Sequence, residues 1–131
     1  MKRLLLIVLP LLLIVGCSSP EPINYEETLN KRDGVFYTKD TNKPYSGQVF
    51  SLYKDGKNKG EGSLKDGEKD GLWTYWYESG QKESERTYKD GEKDGLSIGW
   101  YENGQKELEI TYKNGKLISR KDWNYDGSIV Q

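Results

Sequence analysis

The sequence predicts an all-β chain, an antiparallel meander of repeated β-hairpins in one twisted sheet, on two countable regularities. Gly47, Gly71 and Gly95 are 24 residues apart, as are Tyr53, Tyr77, Tyr101 and Tyr125, and as are Gly67, Gly91 and Gly115. Within that period Gly56, Gly67, Gly80, Gly91, Gly104 and Gly115 are separated by 11, 13, 11, 13 and 11 residues, each following Asp, Asn or Ser. A short unit carrying two turn signals is a hairpin that cannot bury its apolar side alone, so neighbouring units must stack.

Composition narrows the chemistry. The 131 residues hold 20 basic and 21 acidic side chains, one cysteine and no histidine. No Ser-His-Asp or Cys-His pair can exist, and one thiol builds neither a thiolate zinc site nor an internal disulfide. No metal or cofactor is expected beyond a covalent lipid at Cys17. A net charge of -1 with dispersed lysines offers no stripe for nucleic acid.

Residues 1–16 read as a cleaved export signal. Lys2 and Arg3 precede a twelve-residue apolar run, Leu4 to Val15, interrupted by Pro10. As a helix that run reaches about 18 Å, short of the roughly 30 Å hydrocarbon core. Ile14-Val15-Gly16-Cys17 resembles the bacterial lipobox, which implies cleavage between Gly16 and Cys17 and lipidation of Cys17. Several acyl chains would anchor the product to the membrane without a transmembrane helix. An ordinary signal peptide followed by an incidental thiol is the alternative. Ser18 resembles the outer-membrane sorting signal, so the expected location is the cell envelope, on the outer membrane in a host that has one.

Residues 17–32 contain Pro20, Pro22 and three glutamates with little periodicity, and read as the lipidated N-terminus and a tether. An irregular strand around Ile23 and Tyr25 is the other reading. The β-repeat domain is expected over 33–131, with units at 47–70, 71–94 and 95–118 and a truncated cap at 119–131.

The Asp/Asn/Ser-Gly signals suit three-residue loops, a type I turn closed by a left-handed glycine. Odd-length loops keep equal parity on one face. Leu72, Thr74, Trp76, Leu96, Ile98, Trp100, Leu108, Ile110 and Tyr112 are even-numbered, as are Phe50, Leu52, Leu64 and Tyr88, so an even-numbered apolar face is expected. Glu83, Glu85, Thr87, Glu107, Glu109 and Thr111 would then face solvent. Leu, Ile, Val and Phe make up only 17 of the 115 residues from Cys17 onward, so aromatic rings must supply much of the core. Pro44 and charged termini are expected to blunt the sheet edges.

The units resemble the bacterial MORN-type repeat, in particular the variant of the YwqK-family toxin-antitoxin antitoxins. The resemblance rests on Lys-Asp-Gly-Glu-Lys-Asp-Gly-Leu at 65–72 and 89–96, and on Trp76-Tyr77-Glu78-Ser79-Gly80-Gln81-Lys82 and Trp100-Tyr101-Glu102-Asn103-Gly104-Gln105-Lys106. Asp33 to Tyr37 and Pro44 to Gly47 also look like that family's opening segment. The resemblance implies a repeat-built sheet for protein or membrane interaction and no catalytic residues. A cytoplasmic antitoxin conflicts with an export signal, whereas an immunity-like binder of an envelope-acting toxin does not.

Asp66, Glu68, Asp70 and Asp90, Glu92, Asp94 alternate as calcium ligands do, but in loops too short for that ion and beside Lys69 or Lys93, so they read as solvated turns. On the odd-numbered side Tyr53, Tyr77 and Tyr101 recur, whereas Trp73 and Tyr75 become Ser97 and Gly99 one unit later and Val49 and Ser51 one unit earlier. An aromatic pair the repeat does not require, standing beside Tyr77, makes Trp73, Tyr75 and Tyr77 the candidate binding residues if the rings are exposed. Trp76, Trp100 and the six turn glycines are the candidate structural residues. The expected function is a membrane-anchored, non-catalytic module that binds an envelope protein; glycan or peptidoglycan binding by the aromatic patch is the alternative.

Overall fold

A computed structural model describes Gly16 and Ser18–Gln131. The export signal and the lipidation position Cys17 lie outside the described residues, apart from an exposed Gly16. No helix among the described residues is long and apolar enough to cross a membrane.

The expected meander is present. β1 (Ile23–Asn24), α1 (Tyr25–Thr28), β2 (Leu29–Arg32) and β3 (Val35–Thr38) precede seven longer strands. These are β4 (Gly47–Leu52), β5 (Asn58–Lys65), β6 (Glu68–Trp76), β7 (Lys82–Lys89), β8 (Glu92–Trp100), β9 (Lys106–Lys113) and β10 (Lys116–Asp122). One sheet runs β1-β4-β5-β6-β7-β8-β9-β10, antiparallel except for the short parallel β1–β4 pairing, and β2–β3 form a separate hairpin.

Two kinds of turn alternate along the sheet. At Gly56 the Gly56 N–H donates to the Tyr53 carbonyl and the Tyr53 N–H to the Lys57 carbonyl, each at 2.9 Å. That is the expected three-residue loop, and it recurs at Gly80, Gly104 and Gly127. At Gly67, Gly91 and Gly115 the loop is one residue shorter than expected. Lys65 pairs with Glu68, Lys89 with Glu92 and Lys113 with Lys116. The two residues between each pair are both left-handed, as in Asp66 (φ 50°) and Gly67 (φ 79°), which is the type I′ geometry that matches strand twist.

The turns and bulges together overturn the expected even-numbered core. A two-residue loop reverses parity between strands. Beyond each three-residue loop a bulge does the same: Tyr75 lies opposite Ser84 but Trp76 opposite Lys82, so Glu83 has no partner. The inner face is therefore odd-numbered on β4, β6 and β8 and even-numbered on β5, β7 and β9. Val49, Ser51, Trp73 and Ser97 are buried with Leu64, Ser84 and Ile110. Leu52, Leu72 and Leu96, expected inside, stand on the outer face, the last two 54% and 43% exposed. Glu85 lies opposite Thr74 and Ile98 on that same outer face.

The expected tether is also corrected, because most of it is folded. Ile23 and Asn24 pair with Val49 and Phe50. Asn24 caps α1 by accepting from the Glu26 N–H. The β2–β3 hairpin lays Leu29 and Phe36 over the inner face, where they pack with Val49, Leu64 and Trp73. Apolar residues spaced along an aperiodic segment are sufficient to fold it onto a preformed sheet. The cap begins within β10, which pairs with β9 and is exposed from Lys116 to Lys121.

Candidate functional site

The recurring tyrosines lock unit to unit. The hydroxyl of Tyr53 donates to the Trp76 carbonyl at 2.6 Å, that of Tyr77 to the Trp100 carbonyl at 2.6 Å, and that of Tyr101 to the Trp123 carbonyl at 2.9 Å. Each bond joins residues one unit apart, so Tyr77 is engaged in the repeat's own framework. Trp76 and Trp100 supply the acceptors through their backbone. Burial first, then Glu107 and Glu83, raises the Tyr77 pKa and keeps this phenol a donor.

Trp73 is not an exposed platform. It is fully buried, with its indole N–H donating to the Ser63 carbonyl at 3.0 Å. Tyr25 packs edge-on at 5.8 Å and Tyr75 stacks at 6.2 Å. The odd-numbered side of β6 is the inner face, and the N-terminal hairpin covers it. Gly62 passes beneath the indole, where a β-carbon would meet ring atoms at 2.4 Å.

Lys69 lies among the same rings, its ammonium 4.3 Å from the centre of the Trp73 ring and 5.1 Å from that of Tyr88. It also donates to the Tyr75 hydroxyl. Burial first, then the charges of Lys31, Arg86 and Lys93, lowers its pKa to about 8. Burial likewise pushes the Tyr75 phenol well above its ordinary range. Trp73 and Tyr75 fill the floor of this half of the inner face, and an open depression of about 370 Å³ lined by Tyr25, Leu29, Lys31, Phe36, Lys69 and Tyr75 remains beside them.

The next unit is different. Where Trp73 and Tyr75 fill the first unit, Ser97 and Gly99 leave a groove of about 380 Å³ lined by Tyr77, Ser84, Arg86, Lys93, Leu108 and Tyr112 among others. Ser84 and Ser97 are 4% and 5% exposed, and among the described residues neither hydroxyl has a hydrogen-bond partner. The nearest carboxylate to Arg86 is Glu83, at 3.9 Å, and the Lys93 ammonium lies 4.9 Å from the centre of the Tyr112 ring. Glu83 and Glu107, the two bulge residues, also line the groove. None of Ser84, Arg86, Lys93 and Ser97 was a sequence candidate. The signal that could have found them is the replacement of large residues by small ones at core positions of an otherwise faithful repeat.

The outer face has a second depression of about 580 Å³, lined by Pro22, Phe50, Leu52, Leu72 and Thr74 among others. Leu96 stands one unit further along. Among the described residues no group of three or more acidic or cysteine side chains is arranged to hold a metal ion.

Residues 69–90 and 93–114 each match the family model described as a MORN repeat variant. These two segments are similar to MORN-type repeats. The matched segments run from β6 to the turn after β7 and from β8 to the turn after β9, so two of the three 24-residue units are represented. MORN repeats are in general protein- or membrane-interaction modules. No curated protein and no solved structure matches the chain.

Proposed function

We propose that this chain is a lipid-anchored MORN-repeat module of the bacterial cell envelope that docks another envelope protein through the outer face of its sheet. The observation that carries the reading is the pair Leu72 and Leu96. They occupy equivalent positions in successive units and remain 54% and 43% exposed on a folded sheet. Exposed apolar side chains repeated along one face, beside the Phe50 and Leu52 depression, are the kind of feature that marks recognition surfaces. The lipobox-like Gly16-Cys17 junction supplies the anchor, and the family resemblance adds an immunity-like role against an envelope-acting toxin. The glycan alternative loses its support, because Trp73 lies in the core and Tyr77 is engaged with Trp100.

Two comparisons test this reading. Cys17→Ser should abolish lipid labelling and release the protein from the membrane fraction; unchanged retention would remove the anchor. Cross-linking in intact envelopes should yield one protein partner with the wild type and lose it with Leu72→Ser/Leu96→Ser, both exposed changes compatible with folding. Equal cross-linking by the double variant would reject the outer face.

A further inference from the structure

We infer that the open depression beside Lys69 on the inner face is a binding site for a small carboxylate with an apolar body, its carboxylate held by Lys31, Lys69 and the Tyr75 hydroxyl and its body against Tyr25, Leu29 and Phe36. The site lies on the opposite side of the sheet from the proposed docking surface, and its test depends on neither the anchor nor a protein partner.

Cations crowd Lys69 and no anion answers them. The elements around its ammonium bring Lys31 from β2, Arg86 from β7 and Lys93 from β8, and these three charges, after burial, are what lower its pKa. Tyr25 of α1, Tyr75 of its own strand and Tyr88 of β7 bring rings and hydroxyls. Arg86 has Glu83 at 3.9 Å, whereas neither Lys31 nor Lys69 has an ion pair among the described residues. Glu26, the carboxylate at the rim of the depression, is taken by Lys59 at 2.8 Å. A partly buried cation without a counter-charge is destabilising, and an anion in the depression would relieve it.

The hydrogen-bond donors there are also incomplete. Lys69 donates to the Tyr75 hydroxyl, and neither side chain makes another hydrogen bond among the described residues. An ammonium carries three protons, and a phenol oxygen that accepts one bond still has its own proton to give. Two adjacent groups therefore keep donors for an acceptor that the lining does not supply. A carboxylate accepts several such bonds at once, and those from an ammonium are charge-assisted.

The remaining walls select among anions. Tyr25 stands edge-on to Phe36 at 5.5 Å, and the Lys31 ammonium lies 5.3 Å from the centre of the Phe36 ring, so charge and apolar surface adjoin. Tyr25 and Tyr75 are partly exposed, which leaves ring surface for a ligand to cover. An inorganic anion would leave that surface wet, whereas an apolar body attached to the carboxylate would take it out of water. The cavity, at about 370 Å³, falls in the range of small-ligand sites.

Titration of benzoate into the full-length chain in detergent micelles, followed by the chemical shifts of the Trp73 indole N–H and the Lys69 side chain, tests the site. Benzamide is the neutral isostere, and inorganic phosphate the anion with no apolar body. Benzoate should move these signals at millimolar concentration, and benzamide and phosphate should each bind at least tenfold more weakly. Lys69→Met should remove most of the preference for benzoate over benzamide, and Lys31→Gln, an exposed change compatible with folding, should reduce it severalfold. The ammonium form of Lys69 attracts the anion, and that form is lost as pH rises through about 8. Benzoate affinity should therefore be level below about pH 7 and fall between about pH 8 and 9.5 by the factor that Lys69→Met costs, and the variant should show no such fall. A purely structural lysine would not link binding to pH in this way. Absence of shifts at millimolar benzoate, equal binding of benzoate and benzamide, or a pH dependence that survives Lys69→Met would overturn the inference.

Discussion

Gly62 and Lys69 show how single residues define the filled half of the sheet. The Gly62 β-position is only 2.4 Å from the Trp73 ring, and that ring has no exposed surface into which to retreat. Gly62→Ala should therefore cost about 1 to 3 kcal/mol. Gly99→Ala should cost less, because its β-carbon meets the movable Leu108 side chain at 3.2 Å. Urea denaturation of the two variants checks the order. Lys69 sets a pH dependence of defined sign. Its folded pKa of about 8 lies below the ordinary lysine value of about 10.4, so between them the unfolded chain binds a proton the folded chain does not. Stability should rise as pH is raised from about 8 toward 10, with the full penalty present below 8. Above about 10 the raised pKa of Tyr75 acts oppositely, because the unfolded phenol ionises first. Tm measured across this range should peak near its upper end, and Lys69→Met should flatten the rise. At this scale the sequence was partly legible. The departure of Trp73 and Tyr75 from the repeat marked a special place, but a ring that departs from a repeat can serve a core as well as a surface.

The strands and turns were legible as elements and misleading as a register. Every Asp/Asn/Ser-Gly signal is a turn, and the 24-residue period gives the order of β4 to β10. Whether a loop holds two residues or three cannot be read from Asp-Gly alone, since both types place a left-handed glycine at the same step. The bulges beside Glu83 and Glu107 leave no mark in composition. One residue per turn was enough to exchange inside for outside, which is why Leu72 and Leu96 were expected in the core. The N-terminal hairpin was hidden for another reason: Leu29 and Phe36 acquire their order from long-range contact with Trp73 and Val49. That contact makes equivalent turns unequal. Gly67 and Gly91 share φ 79°, yet a β-carbon at Gly67 would lie 2.7 Å from the Phe36 carbonyl oxygen, whereas at Gly91 the nearest atoms are 3.4 Å away on the flexible Glu68 side chain. Both alanine variants carry a left-handed strain of roughly 1 to 2 kcal/mol. Gly67→Ala should lose at least about 1 kcal/mol more, since the hairpin must also shift. Chemical denaturation of the pair measures the difference directly.

Across the whole molecule, stability is distributed unevenly although the sequence repeats evenly. Leu29, Phe36, Val49, Leu64 and Trp73 form one buried cluster over β4 to β6, whereas Ile110 is the sole buried large apolar residue described beyond it. Full burial of such a side chain contributes about 1.5 to 3 kcal/mol, so the covered half holds most of the hydrophobic stabilisation. Further along, each strand depends on its neighbours, on the Tyr77 and Tyr101 hydroxyl bonds and on the paired backbone. At the far edge β10 buries nothing from Lys116 to Lys121, and Leu117 and Ile118 are more than half exposed. In a stacked-repeat protein such a gradient lets the weak end open while the rest stays folded. Amide exchange should therefore be slowest in β5 and β6, faster in β8 and β9, and fastest in β10. Deleting the hairpin cover at residues 18–38 should abolish that order by exposing Trp73, with a red shift of its fluorescence. Equal protection of β5 and β10 would show that the sheet unfolds as one cooperative unit and that the cover does not divide it.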